Sequence, residues 1–160
     1  MSAVLGVALL IGEVDPATGL VPVEVGMLAA MSETPWGLEI DARGYLTTWA
    51  VDSAKATRKL SAGERSEVAR LLKALPTSRS KYEYGQWLVD ASTTFELRVG
   101  ADSALREYSI SSSLGPDVDR VQVRSILEAL AYLRSLVPSK TAVWPPKPGA
   151  GQSARRRTRG

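Results

Sequence analysis

Apolar and polar positions alternate with period two over several short runs of this chain. Trp36, Leu38 and Ile40 alternate with Gly37, Glu39 and Asp41, which predicts a half-buried strand, since successive side chains of a strand point to opposite faces. Asp41-Ala42-Arg43-Gly44 has turn composition. Tyr45 to Val51 then returns with Tyr45, Thr47, Trp49 and Val51 on one face, and the polar link after it has room for a further strand near 57–60. A second strand set follows. Lys81 to Val89 carries Tyr82, Tyr84 and Trp87, with Gly85 as a bulge and Asp90-Ala91-Ser92 as a turn. Thr93, Phe95, Leu97 and Val99 alternate with Thr94, Glu96 and Arg98, the most regular period-two run in the chain. Gly100 to Ser103 turns, and Leu105 to Ser111 is the third strand of this set.

Two segments change period. From Leu60 to Pro76, Val68, Leu71, Leu72 and Leu75 fall on one helical stripe. Ser61 and Glu64 have capping-box spacing, in which each side chain satisfies the other residue's amide. Pro76 lacks the N–H that would continue the helix, and it disfavours helical geometry at Leu75. The second helix, from about Val118 to Val137, has the stripe Val123, Ile126, Leu127, Leu130, Leu133 and Val137, with Arg134 outside it; Pro138 ends it.

The first 31 residues carry three readings. Val4 to Ile11 and Leu20 to Val25 flank the turn Asp15-Pro16-Ala17-Thr18-Gly19 as a hairpin would, with Pro22 marking an edge strand. Alternatively the apolar run is a cleaved or membrane-contacting segment, or the product starts at Met27 or Met31. The run is too short to span a bilayer, and no Lys or Arg precedes it as in a secretory signal. The expected location is therefore the cytoplasm.

The order strands, helix, strands, helix predicts an α+β fold: an antiparallel sheet with two helices packed on one face, a two-layer sandwich. Its expected divisions are an N-terminal extension at 1–35, the α+β domain at 36–137 and a Pro/Gly/Arg-rich tail at 138–160. The tail, with Trp144-Pro145-Pro146-Lys147-Pro148, is expected to be disordered.

Charge sharpens that division. The net charge is +3, but residues 138–160 hold six basic residues and no acidic ones, so residues 1–137 carry −3. The basic pI belongs to the tail, where Arg155, Arg156, Arg157 and Arg159 offer weak, salt-sensitive contact to nucleic acid or another polyanion.

Composition narrows the chemistry. The chain has no cysteine and no histidine, which removes disulfides, thiolate nucleophiles, imidazole bases and the usual zinc ligands. Carboxylate acid–base chemistry, lysine chemistry and oxygen-ligated divalent metals survive. Ser78-Arg79-Ser80-Lys81 has the Ser-x-x-Lys spacing in which lysine activates serine, but it falls in a polar loop rather than at a helix start. Asp117 and Asp119 place two acids at a helix N-terminus, where the dipole favours them for stability alone. Gly149-Ala150-Gly151 lacks the strand before it and the Gly-Lys-Ser/Thr after it that a phosphate loop needs. No catalytic, cofactor-binding or metal-binding residues are expected. The aromatics fill a core or pair across strands in the ordinary case, while any that stand exposed on a bare sheet face mark a partner surface. Trp49, Tyr84, Trp87 and Tyr108 are the candidates for that surface.

Ile40-Asp41-Ala42-Arg43-Gly44-Tyr45, Leu60-Ser61 with Glu64 opening the first helix, Tyr84, the Phe95-to-Val99 strand and the closing leucine helix together resemble the small bacterial emfourin or protealysin-inhibitor type. The resemblance spans about 36–137. It implies a compact α+β fold and inhibition of thermolysin-like metallopeptidases, and it transfers no functional residue, because that family acts through an N-terminal end that is unmatched here. The expected function is a non-enzymatic protein-binding module, of peptidase-inhibitor kind if the resemblance holds, whose partner is another protein and which uses no cofactor. The rival is a hydrolase using carboxylates and a divalent metal.

Overall fold

The computed structural model describes residues 20–28, 36–50, 53–85, 93–111, 114 and 120–138. Seven strands and two helices follow one another: β1 (Val23–Leu28), β2 (Trp36–Ile40), β3 (Tyr45–Ala50), β4 (Ser53–Lys59), α1 (Ala62–Lys73), β5 (Lys81–Tyr84), β6 (Thr94–Val99), β7 (Arg106–Ser111) and α2 (Arg120–Ser135), with a short 3-10 turn at Asp102–Ala104. The strands form one sheet in the order β4-β3-β2-β1-β6-β7-β5. It is antiparallel except for the last pair. The α+β class and the mostly antiparallel sheet with two helices are as the periodicity predicts.

Register turns the alternation into two faces. Thr48, Leu38, Val25, Leu97, Tyr108 and Tyr82 lie side by side across six strands, and all are buried. Beside this row lie Trp36, Ile40, Leu46, Phe95 and Ile110, against which Val68, Leu71 and Leu75 of the α1 region and Ile126, Leu127, Leu130 and Leu133 of α2 complete a single core. The two helices also touch each other. The stripes read from the sequence are the buried stripes, except that Leu72 is only partly buried.

Local chemistry fixes α1. The Ser61 hydroxyl accepts from the Glu64 N–H at 3.2 Å, and the Glu64 carboxylate accepts from the Ser61 N–H at 2.8 Å. At the other end, the N–H of Ala74 finds the Leu71 carbonyl, and the Pro76 carbonyl accepts from the Tyr108 hydroxyl at 2.8 Å. The β2–β3 turn is held by Asp41, whose carboxylate accepts from the N–H groups of Arg43 and Tyr45. Gly44 there has φ of 80°, left-handed backbone that glycine adopts without a Cβ penalty.

Four expectations change. β1 is a central strand, paired with β2 on one side and β6 on the other, so the folded unit includes residues from Leu20 onward instead of starting at Trp36. Pro22 is no mark of an edge: it precedes β1, where its missing N–H costs the ladder nothing, and its carbonyl accepts from the Gly100 N–H at 2.9 Å. The other half of the expected hairpin, Val4 to Ile11, lies outside the described residues. β5 does not pair with β6 across the expected turn; it runs parallel to β7. Both edges of β6 are already taken, by β1 and β7, which leaves β5 the far edge of β7. There Tyr82 stacks on Tyr108, ring centroids 5.2 Å apart and planes 8° apart. Finally, Arg134 is buried rather than outside, 3 % exposed. Its guanidinium lies 5.6 Å from the centre of the Trp36 ring and donates to the Val137 carbonyl at 3.1 Å, so a cation closes the C-terminal end of α2.

Candidate functional site

The helices pack on one face of the sheet, and the other face is built from the alternate residues of every strand. Its central row, following the register, is Thr57, Thr47, Glu39, Glu24, Arg98, Glu107 and Lys81. Charge alternates over half of it. Arg98 lies 3.2 Å from Glu107, 3.6 Å from Glu24 and 3.9 Å from Glu96. Lys81 meets Glu83 at 2.8 Å, and that hydrogen bond raises the lysine's pKa. The alternation fails at one place, where Glu24 faces Glu39 directly. Among the described residues Glu39 is exposed and makes no ion pair.

Next to that acidic pair the face is flat and aromatic. Gly37 lies opposite Trp49, and the indole lies so close over it that a Cβ on Gly37 would sit 2.1 Å from Trp49 Cζ2. Beyond Gly37 is Gly26, whose missing Cβ would meet nothing within 4 Å. Trp49 therefore covers one glycine of its neighbouring strand and leaves its upper face to solvent, 38 % exposed. Four residues back along the same strand, Tyr45 is also exposed, with the cations of Arg43 and Lys59 about 6 Å from its ring centre. Large apolar side chains left in water on a face that neither helix covers are the unusual observation. At one end of the face Thr94 and Ser111 are buried.

Of the four residues expected to form a partner surface, the three that are described do not share one face. Trp49 is on the outer face. Tyr108 is 2 % exposed in the core between sheet and helices, where burial raises the pKa of its phenol. Tyr84 lies half-buried on that same inner side and donates to the Gln122 side chain of α2 at 2.8 Å. Trp87 lies outside the described residues, as do Arg155, Arg156, Arg157 and Arg159, Asp117, Asp119 and the Gly149–Gly151 stretch. The sequence reading does not single out Tyr45, Gly37 and Glu39. The signal for them was available: counting back from the Asp41–Gly44 turn puts Gly37 against Trp49.

Ser78 and Lys81 do not form a nucleophile and base. The Ser78 hydroxyl is 3.1 Å from the Tyr82 hydroxyl, and Lys81 is held by Glu83. Both border an open groove of about 350 Å³ reaching Gln122, whose charged residues are Arg79, Lys81 and Glu83. The two carboxylates of α1 are engaged. Glu64 takes two hydrogen bonds from the Arg58 guanidinium, at 2.7 and 2.9 Å, besides the Ser61 amide. Those contacts hold its pKa down to about 2. Glu67 is paired with Arg70. Among the described residues no three acids approach one another as metal ligands would, and no helix is long and apolar enough to cross a membrane.

No protein-family model and no curated protein matches this chain.

Proposed function

We propose that this protein is a non-enzymatic protein-binding module whose contact surface is the outer face of its sheet. What supports the reading is Trp49, laid flat over Gly37 and open to solvent beside Tyr45. Tryptophan and tyrosine are the side chains that most often anchor a protein interface. Resting on a glycine in a rigid sheet holds the indole in place before any partner arrives, so little side-chain freedom remains to be lost on binding. The neighbouring Glu39 and Glu24 give the patch an acidic border.

The test is a photo-crosslinking amino acid placed at Thr47, between Tyr45 and Trp49, with the same group at Lys73 on α1 as control. A partner captured only from Thr47 is then purified and titrated. Trp49→Ala should weaken that partner at least tenfold while leaving the melting temperature within a few degrees. Equal binding of wild type and Trp49→Ala removes the face from the interface. The peptidase-inhibitor form of the reading rests on the sequence resemblance. It fails if a thermolysin-like metallopeptidase cleaves a peptide substrate at the same rate with and without excess protein.

A further inference from the structure

β4 is the terminal strand on its side of the sheet and, among the described residues, pairs along one edge only, with β3. Its register shows which main-chain groups face outward. Leu60 N–H donates to the Gly44 carbonyl at 2.9 Å, and the following partners are Tyr45 with Lys59, Leu46 with Arg58 and Thr47 with Thr57. Hydrogen-bonded and non-hydrogen-bonded pairs alternate along an antiparallel ladder. Counting from Leu60, Arg58 turns its N–H and C=O toward β3, whereas Lys59 and Thr57 turn theirs to the open edge. The Thr47 and Thr57 hydroxyls, 3.0 Å apart, agree with this, because side chains approach most closely at non-hydrogen-bonded pairs.

The side chains along this edge are of one sign. β4 reads Ser-Ala-Lys-Ala-Thr-Arg-Lys and has no acid. Arg58 is neutralised by Glu64 of α1. Lys55 and Lys59 are exposed and make no ion pair among the described residues. Lysine on an edge strand normally keeps copies of a protein from pairing edge to edge. A second copy of β4 would set lysines against lysines, and like charges on paired strands repel. The chain's own C-terminal residues 138–160 are basic without any acid, so they meet the same repulsion. An acidic strand does not.

We propose that the open edge of β4 is the docking edge for an extended acidic segment of a partner protein, which joins the sheet as an added strand. Main-chain hydrogen bonds to Thr57 and Lys59 hold it, and carboxylates beside Lys55 and Lys59 select it. The proposal rests on the protein-binding reading but not on the Trp49 face.

The probe is a short capped peptide of alternating threonine and glutamate, carrying a fluorophore, with a threonine–lysine peptide as control. The expected result is anisotropy-detected binding of the glutamate peptide alone, weakening as salt rises. Hydrogen exchange should slow at the Thr57 and Lys59 amides. Thr57→Pro removes an outward N–H and leaves the β3 ladder intact, so it should cost at least tenfold in affinity, whereas Thr57→Val should bind as wild type. The double variant Lys55→Glu, Lys59→Glu needs no backbone change and should exchange the preference, binding the lysine peptide and not the glutamate one. Trp49→Ala should bind the glutamate peptide normally, so loss of the face and loss of the edge are told apart. The proposal is overturned by equal binding of both peptides, by an unchanged preference in the charge-reversed variant, or by no slowing at Thr57 and Lys59. Slowing that grows with protein concentration in the absence of peptide also overturns it, since the edge then pairs with a second copy.

Discussion

Arg134 and Glu64 are both charged, and their surroundings give them different work. Arg134 sits inside the helix–sheet interface over Trp36 and donates to the carbonyl of Val137. A hydrogen bond from a charged group contributes about 1.5–3 kcal/mol, so Arg134→Ala should destabilise by at least that much in urea unfolding. A cost near zero would mean the guanidinium contributes nothing to closing the helix end. Glu64 ties the start of α1 to β4 through Arg58, and its pKa falls from an ordinary 4.5 to about 2. A carboxylate held below its unfolded value contributes stability that is complete above about pH 4.5 and is lost as pH falls toward 2. Glu64→Gln should therefore flatten part of the acid limb of the stability profile in that window. An acid limb identical to wild type would show that the pairing with Arg58 is not maintained in solution. The cap itself is tested separately: Ser61→Ala should cost about 0.5–2 kcal/mol.

Within the elements, α1 depends on its stripe and the sheet on its cross-strand pairs. Leu71 is buried between α1 and the core, and Leu71→Ala should cost about 2–5 kcal/mol by loss of transfer energy and creation of a cavity. On the outer face, the alternation of charge breaks where Glu24 meets Glu39. Glu39→Lys would continue the alternation and should raise stability by about 0.2–1 kcal/mol, read as a small rise in melting temperature at low salt that shrinks at high salt. Gly37→Ala tests the aromatic platform. The new methyl would occupy the space of the Trp49 ring, and the indole, at the end of a surface side chain, can swing away. The expected outcome is a change in tryptophan emission with little loss of stability. A large drop in melting temperature would show that Trp49 has no alternative position.

At the scale of the molecule, charge divides the chain where the pattern of apolar residues ends. Removing residues 144–160 changes the net charge from +3 to −2, and retention on heparin at low salt should disappear with it; retention that persists would place the polyanion contact on the folded unit. The sequence by itself determined the parts whose causes are local. Period-two and helical stripes gave the strands and helices, Ser61 with Glu64 gave the start of α1, and Pro76 and Pro138 gave the ends, because propensity, capping and amphipathicity act over a few residues. It also placed Tyr45, Thr47 and Trp49 on one side of their strand. Only the tertiary structure decided which strands became neighbours. β1 entered the centre of the sheet and β7 came between β5 and β6, since pairing partners are chosen by the burial of both inward rows at once, against helices far away in the chain. For the same reason the candidate site was half legible. Trp49 was visible as an aromatic on an alternating strand, but Tyr84 and Tyr108 share its residue type and alternation and ended inside, because which face of a strand is covered depends on where the two helices pack, and no single strand carries that information.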